Sequence, residues 1–270
     1  MNHLTDDHIG PWTETKLHVL REYGKAYSTI LAAQARFKYV YIDAFASSGQ
    51  HTSRTTGQVV LGSPLIAMRV QPPFTGIHVI ELNPAKADQL RRRMGHDPRV
   101  QFHEGDCNVV LPSEVFPLVR YEDYRRGLCV LDPYGLNLDW SIIEQAGKLK
   151  TLDTFINFPI HDANRNALWQ KGSLADSHQT ARLTRIWGDE SWKELLYTND
   201  LFGNLVKDGT NDDVAVAYQK RLKEVAGFEF VPKPLILRNR IGAAVFYLFF
   251  ASQNATAERV VKSIFKKYQT

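Results

Sequence analysis

Apolar and polar residues alternate along the chain in blocks that predict strands separated by helices. Apolar runs rich in β-branched and aromatic residues predict strands at 37–44, 77–82, 100–103, 128–131 and 154–157. Between them, apolar residues recur at spacings near 3.6, which predicts helices at 13–34, 63–70, 84–94, 108–118 and 140–148. Strands that alternate with helices indicate an α/β fold with a mostly parallel sheet and helices on both faces.

The strand rhythm stops between residues 161 and 228, where helical patterns replace it. We interpret 161–228 as a helical insertion in a Rossmann-like domain formed by 1–160 and 229–270. Two late strands are predicted at 235–238 and 243–251. Residues 239–242, which connect them, are too few for a crossover. These strands should therefore pair antiparallel at one edge of the sheet.

A long polar stretch at 46–62 follows the first strand and is predicted to be a loop. Loops of this length in compact domains are usually functional or mobile.

Composition and charge limit the class of protein but do not indicate a function. The 270 residues are 44% hydrophobic with a net charge of +4, which permits a polyanionic partner, although an ordinary solvated surface is the commoner explanation. Two cysteines, Cys107 and Cys129, lie in or beside predicted strands, without metal-ligand or disulfide spacing. We expect no metal.

The longest apolar run, 241–251, is too short to span a bilayer, and the expected location is the cytoplasm, with no membrane partner.

Carboxylates follow four successive predicted strands: Asp43, Glu81, Asp106 and Asp132. In a parallel sheet the carboxyl ends of the strands share one edge, where ligands bind. A single acid after a strand is more often a helix cap or turn residue. Four in the same relative position favour a ligand site.

Glu81 is placed to accept hydrogen bonds from the ribose hydroxyls of an adenosine cofactor. Only Gly49 remains of a three-glycine phosphate cradle, with Ser47 and Ser48 beside it. This argues against a nicotinamide or flavin oxidoreductase, which we disfavour. S-adenosylmethionine carries no phosphate and needs only a close, small-residue turn plus acids, so it fits better.

Asp132, Pro133 and Tyr134 form the predicted catalytic motif. The Asp132 carboxylate and the Pro133 carbonyl can accept hydrogen bonds from an amino group, while Tyr134 can stack on a planar base. The same residues are also typical of a simple turn. Asn157 and Phe158, at the end of the fifth strand, line the substrate side in one interpretation and merely end a strand in the other.

Seven segments together resemble the three-Cys-motif partner protein family: 41–46, 62–65, Glu81, 105–106, 131–135, 156–159 and 246–252. That family is similar to class I S-adenosylmethionine-dependent methyltransferases, including the amino-methylating kind. The resemblance implies a class I methyltransferase sheet with an antiparallel edge strand. It also implies a partner protein with three clustered cysteines that resembles an iron–sulfur radical enzyme.

The resemblance also assigns roles to residues. Asp43, Phe45, Ala46 and Gly49 would approach the methionine part of the cofactor. Glu81 would bind ribose, Asp106 would bind the adenine amino group with Cys107 beside it, and residues 132–134 would face the acceptor. Ser47 stands where the family usually has glycine, and Tyr134 stands where amino-methyltransferases have a second proline.

These observations predict an S-adenosylmethionine-dependent methyltransferase that acts on a base amino group of a nucleic acid. The alternative is a non-catalytic or weakly catalytic adaptor for the three-cysteine protein. In that case the tryptophans of the insertion, Trp169, Trp187 and Trp192, would form the docking surface, unless they fill the insertion's own core.

Overall fold

A seven-stranded mixed sheet organises the fold, in a computed structural model that describes residues 7–168, 177–200, 202 and 204–269. The strands are β1 (Asp7–Ile9), β2 (Lys38–Asp43), β3 (Gln50–Ser53), β4 (Val59–Leu61), β5 (Gly76–Glu81), β6 (Val100–Glu104), β7 (Arg125–Leu131), β8 (Leu152–Phe158), β9 (Tyr197–Asn199), β10 (Leu205–Lys207), β11 (Leu235–Arg238) and β12 (Ala244–Ala251). The helices are α1 (Pro11–Ala32), α2 (Ser63–Met68), α3 (Pro84–Met94), α4 (Cys107–Val110), α5 (Trp140–Leu149), α6 (Ile160–Asn166), α7 (Ser177–Trp187), α8 (Ser191–Leu196), α9 (Asn211–Glu224) and α10 (Ala255–Tyr268).

The strand order in the sheet is β6-β5-β2-β7-β8-β12-β11. The pairings from β6 to β8 are parallel, and β12 pairs antiparallel with both β8 and β11. The late strands thus pair antiparallel, as the short connection between them predicted. The reversed strand β12 is not at the edge, however, because β11 takes that place. Strand β12 is almost entirely buried, as is typical of an inner strand that has both faces covered by helices.

The stretch at 46–62 is not a loop but contains the hairpin of β3 and β4. Strand β1 adds to β3 in parallel and completes a small three-stranded sheet beside the main one. The polar sequence of β3, Gln-His-Thr-Ser, has no apolar alternation, so periodicity could not reveal it. Strand β3 is held by backbone pairing, while Val60 and Leu61 of β4 pack against a cluster of buried side chains, Ile9, Leu17 and Ile66.

Two hydrophobic layers cover the two faces of the sheet. Along β8, Phe155 faces the layer formed with α1 and α10, while Ile156 faces the layer formed with α5 and α7. This alternation is the period of two expected of a strand covered on both sides. Among the described helices, none is both long and apolar enough to cross a membrane.

The segment 161–228 packs onto the sheet rather than around a core of its own. Tyr218 of α9 is fully buried and its ring lies 4.7 Å from that of Phe158 and 5.2 Å from that of Phe249, both on sheet strands. Trp187 and Trp192 are buried in the same cluster, so neither supplies an exposed docking surface. Trp169 lies outside the described residues. In the described part of the segment, the regular elements are helices α6 to α9 and the β9–β10 hairpin.

We expect His78, which is buried on β5, to make the stability of the protein sensitive to acid. Burial, and then the neighbouring His103 and Arg125, lower the pKa of His78 to about 4, whereas an unfolded histidine has a pKa of about 6.5. Between these values only the unfolded chain binds the proton, so the free energy of unfolding decreases as the pH falls through this window. From about pH 7 to about pH 4.5, we expect His78→Gln to become more stable relative to wild type by about 2 kcal/mol. Urea unfolding at both pH values measures this.

Asp43 supplies the control of opposite sign. Burial raises its pKa to about 6, so the folded protein binds a proton that the unfolded chain, with a pKa of about 3.9, releases. Its contribution is present at low pH and is lost as the pH rises through the folded pKa. Asp43→Asn should therefore lose stability relative to wild type over the same acid shift. Parallel stability curves for wild type and both variants would contradict the two assignments.

Candidate active site

Two adjoining cavities open at the carboxyl ends of the parallel strands. The first encloses about 590 Å³ beyond the ends of β2, β5 and β6. The second encloses about 390 Å³ between β1, the start of α1 and the end of β7. Phe45 and Tyr134 line both cavities. Strand β2 lies between β5 on one side and β7 on the other, so the order of the strands reverses at β2. Ligands of open α/β sheets bind at such a reversal.

Glu81 lies at the wall of the first cavity and is 9% exposed. Its Oε2 accepts a hydrogen bond from the backbone N–H of Ser47, and its Oε1 accepts one from that of Asn83, both at 2.8 Å. The end of β5 thereby fixes the turn that follows β2. Each carboxylate oxygen can accept a second hydrogen bond, so Glu81 retains capacity for two ligand hydroxyl groups.

Asp106 and Cys107 line the same cavity. Asp106 caps α4, and its Oδ1 accepts hydrogen bonds from the backbone and side-chain nitrogens of Asn108 at 2.9 Å. Within the described chain its Oδ2 has no donor. Burial, and then Asp106, raise the pKa of the Cys107 thiol to about 12, so it forms a neutral wall. Leu82, 68% exposed, lies at the cavity edge.

The turn after β2 contributes to both cavities, with Ala44 and Phe45 at the first and residues 45–47 at the second. Ala46 and Phe45 line the second cavity, whereas Asp43 and Gly49 line neither. The Asp43 carboxylate is buried beneath the turn, where it accepts hydrogen bonds from the Tyr41 hydroxyl and the Phe45 N–H, each at 3.2 Å. Gly49 has a φ of +82°, and a Cβ there would lie 2.7 Å from Leu90. Both residues shape the turn from within.

Asp132 lies at the second cavity and is engaged through both carboxylate oxygens. Its Oδ2 accepts a hydrogen bond from Lys16 Nζ in an ion pair, and its Oδ1 accepts one from Asn157 Nδ2 at 2.6 Å. Pro133 and Tyr134 follow it along the cavity wall. Gly135, with a φ of +58°, closes a turn, so these residues form both a turn and a cavity wall.

Sequence reasoning missed Lys16, which is buried on α1. The signal was present: Lys16, Leu20, Tyr23 and Tyr27 follow one another at intervals of four, three and four, the spacing of a single helix face. A lysine on an otherwise buried face needs a counter-charge. Its partner, 116 residues away in sequence, could not be identified from spacing.

The side chains of Asn157 and Phe158 lie in different surroundings. Asn157 is buried behind Asp132 and holds it, and its own Oδ1 has no partner among the described residues. Phe158 is fully buried against Tyr218 and lines neither cavity. Its place at the end of β8 therefore puts it in the core.

Asp7 lines the second cavity and connects it to residues that line the first. Its Oδ2 accepts hydrogen bonds from Lys86 Nζ (2.7 Å), the Tyr134 hydroxyl (2.9 Å) and the Ser47 hydroxyl (3.2 Å). Burial opposes ionisation of Asp7, but Lys86 and Tyr134 outweigh it and hold the pKa of this carboxyl below its usual value. Strand β1 thus fastens α3 to the loop after β7. This contact was also missed from the sequence.

Nothing in the described chain suggests a metal centre, since no three His, Cys, Asp or Glu side chains there are grouped to hold an ion. Cys129 is buried and free. Burial raises the pKa of its thiol well above the usual value, which agrees with a small buried side chain in the core.

No protein-family model and no curated protein matches the sequence. Among solved structures, LPL1258 from Legionella pneumophila is similar with 11% identity and a TM-score of 0.47, covering 93% of this chain and 91% of that one. The methyltransferase domain of bacterial CtHen1 has 11% identity, a TM-score of 0.41 and coverage of 86% and 99%. A Listeria monocytogenes protein assigned as an S-adenosylmethionine-dependent methyltransferase has 8% identity, a TM-score of 0.42 and coverage of 87% and 99%.

Proposed function

We propose that this protein is an S-adenosylmethionine-dependent methyltransferase that acts on a base amino group of a nucleic acid. The observation that carries the proposal is the convergence of Glu81 and Asp106 on one cavity that adjoins the cavity of Asp132. A cofactor held in the first cavity and an acceptor held in the second would meet at Phe45 and Tyr134.

The residues of the first cavity fit the adenosine part of the cofactor. Glu81 has lone pairs for the ribose hydroxyls, and the unpartnered Oδ2 of Asp106 can accept from the adenine amino group. Leu82 and Cys107 supply apolar contact for the adenine ring. When bound, S-adenosylmethionine supplies an electrophilic methyl group on a sulfonium. The chain's own residues orient the reactants and exclude water.

The residues of the second cavity fit an amino acceptor. Asp132 is fixed by Lys16 and Asn157, and each of its oxygens can accept one further hydrogen bond. Accepting protons from an amino group would leave the nitrogen lone pair directed away from Asp132. Tyr134, 55% exposed, offers a ring face on which a base can stack, which stabilises by about 1–3 kcal/mol.

Arg54 supports a nucleic-acid acceptor over a neutral small molecule. It lines the second cavity, and within the described chain its guanidinium forms no ion pair. Arg91, Arg182 and Arg185 instead pair with neighbouring carboxylates. An uncompensated guanidinium at the cavity wall can contact a phosphate while the base enters the cavity, and a base within a duplex would have to be flipped out.

Two measurements test the proposal. Calorimetry should detect binding of S-adenosylhomocysteine, and labelled methyl groups should move from S-adenosylmethionine to a DNA or RNA pool and be recovered on a base nitrogen. Failure to bind either form of the cofactor would rule the proposal out. Binding without transfer to any nucleic acid would exclude the proposed acceptor.

Glu81→Gln should weaken S-adenosylhomocysteine binding by about tenfold to a hundredfold, because hydrogen bonds to a charged acceptor contribute about 1.5–3 kcal/mol. Gln keeps one acceptor oxygen, so only one of the backbone N–H groups of Ser47 and Asn83 keeps its hydrogen bond. Calorimetry measures the affinity, and thermal unfolding checks the fold.

Glu104→Gln is the matched control. Glu104 is the register partner of Glu81 on β6, but it pairs with Arg91 and lines neither cavity. Its substitution should leave affinity unchanged. Equal loss in both variants would mean that the effect is on the sheet edge and not on the ligand.

A further inference from the structure

A third cavity, of about 640 Å³, lies at the amino ends of the parallel strands. It is formed by the second half of α1, the residues before β2, β7 and β8, and the residues after β12. A six-residue strand spans about 20 Å, so this opposite cavity is separated from the first two by the length of the sheet. Its volume is that of a small-molecule site.

Two cations, Arg126 and Lys150, border the opposite cavity, and two carboxylates, Asp153 and Glu229, also line it. The Arg126 guanidinium lies between the rings of Phe37 (4.7 Å) and Tyr121 (4.6 Å). Its Nη1 donates to the carbonyl of Arg125 at 2.7 Å. Neither Arg126 nor the exposed Lys150 forms an ion pair with any described residue. A stacked, oriented guanidinium with free N–H groups is a typical anion-binding group.

Tyr27 contributes an unsatisfied polar atom. It lines the opposite cavity and is 7% exposed, and its hydroxyl has no hydrogen-bond partner in the described chain. Asp153 and Arg126, both in the cavity lining, lie within electrostatic reach of this hydroxyl. Buried hydroxyl groups nearly always have a partner, so a ligand or an ordered water is required here.

The remaining lining indicates a planar polar ligand. Phe230 is accompanied by the carboxylates of Asp153 and Glu229 and by the amide of Gln253, whereas the rings of Phe37 and Tyr121 lie against the Arg126 guanidinium. The Asp153 carboxylate accepts hydrogen bonds from Tyr23 and Ser252 and meets no cation at ion-pair distance in the described part of the chain. Such a lining matches a heterocycle whose edge both donates and accepts hydrogen bonds.

We propose that the opposite cavity binds a nucleotide, with its base against Phe230 and its phosphate at Arg126 and Lys150. The amino end of α10, at Asn254 and Ala255, adds a favourable partial positive charge for the phosphate. The site is separate from the two cavities of the proposed methyl transfer and does not depend on that function.

The test is calorimetric titration of the full-length protein with the four ribonucleoside 5′-monophosphates at millimolar concentration. We expect at least one to bind, Arg126→Met to weaken binding by about tenfold or more, and Tyr27→Phe to weaken it by about threefold. Tyr27→Phe keeps the ring and serves if Arg126→Met folds poorly. A 5′-phosphorylated oligonucleotide that binds more tightly, with the same dependence on Arg126, would identify the end of a nucleic acid strand as the source.

Arg120→Met and Asp106→Asn are the controls. Arg120 is exposed and paired with Asp123 outside the opposite cavity, and Asp106 belongs to the first cavity, so both variants should bind the cytidine, guanosine and uridine monophosphates like wild type. Adenosine monophosphate also fits the proposed adenosine site, so its binding there should respond to Asp106→Asn. The absence of binding by all four nucleotides would overturn the proposal. So would binding that survives Arg126→Met but is lost in Asp106→Asn, since the nucleotide would then occupy the first cavity.

Discussion

Replacing Asp132 with alanine should lower the rate of methyl transfer by on the order of a hundredfold to a thousandfold, with S-adenosylhomocysteine affinity unchanged. Asp132 lines the second cavity and not the first, so its loss removes the acceptor's anchor and leaves cofactor contacts in place. Single-turnover transfer and calorimetry measure the two quantities separately.

The Lys16–Asp132 pair requires a second variant. Asp132→Ala leaves the buried Lys16 ammonium without its partner, which should decrease the free energy of unfolding by about 2 kcal/mol, less than for a fully buried pair. The double variant Asp132→Ala/Lys16→Met should recover that stability and remain inactive. Recovery of activity in the double variant would contradict a direct role for Asp132. Asp123→Asn, at an exposed ion pair, should change neither quantity.

Replacing Tyr218 with alanine should decrease the free energy of unfolding by about 3–5 kcal/mol, because deletion of a buried aromatic side chain leaves a cavity. The ring contacts those of Trp140, Trp187 and Phe249, and the hydroxyl donates to the carbonyl of Ile186 at 3.2 Å. Urea unfolding followed by circular dichroism and tryptophan fluorescence gives the value.

The urea transition should also show whether the segment 161–228 unfolds together with the sheet. The segment 161–228 shares one hydrophobic cluster with the sheet, so both probes should report a single transition. A variant that loses only part of its helical signal in an early, separate step would instead show that the segment unfolds alone. Tyr124→Ala, an exposed ring that contacts Phe37, should cost less than about 1 kcal/mol.

The sequence was sufficient for the seven strands of the main sheet and for the edge at which the acids meet. Glu81, Asp106 and Asp132 each follow a short apolar run, and the parallel sheet brings them to one edge by its geometry alone. The roles of the predicted residues in binding and catalysis stay predictions, although the structure places most of them at the two cavities.

The elements that were missed depend on contacts between distant parts of the chain. Asp7 meets Tyr134 across 127 residues, and no local pattern marks either one as a partner of the other. Strand β3 is polar and is defined by its pairing with β1 and β4. The inner position of β12 likewise follows from how completely its two faces are covered, which depends on helices elsewhere in the chain.

Helix α1 is held by side chains at two places two turns apart. Lys16 binds Asp132 at one edge of the sheet, and the Tyr23 hydroxyl donates to Asp153 at 2.6 Å toward the other. Fraying from either terminus of the helix would have to break one of these contacts before it reached the middle. Amide protons between residues 16 and 23 should therefore exchange with solvent only when the whole protein unfolds, which makes them internal reporters of global stability.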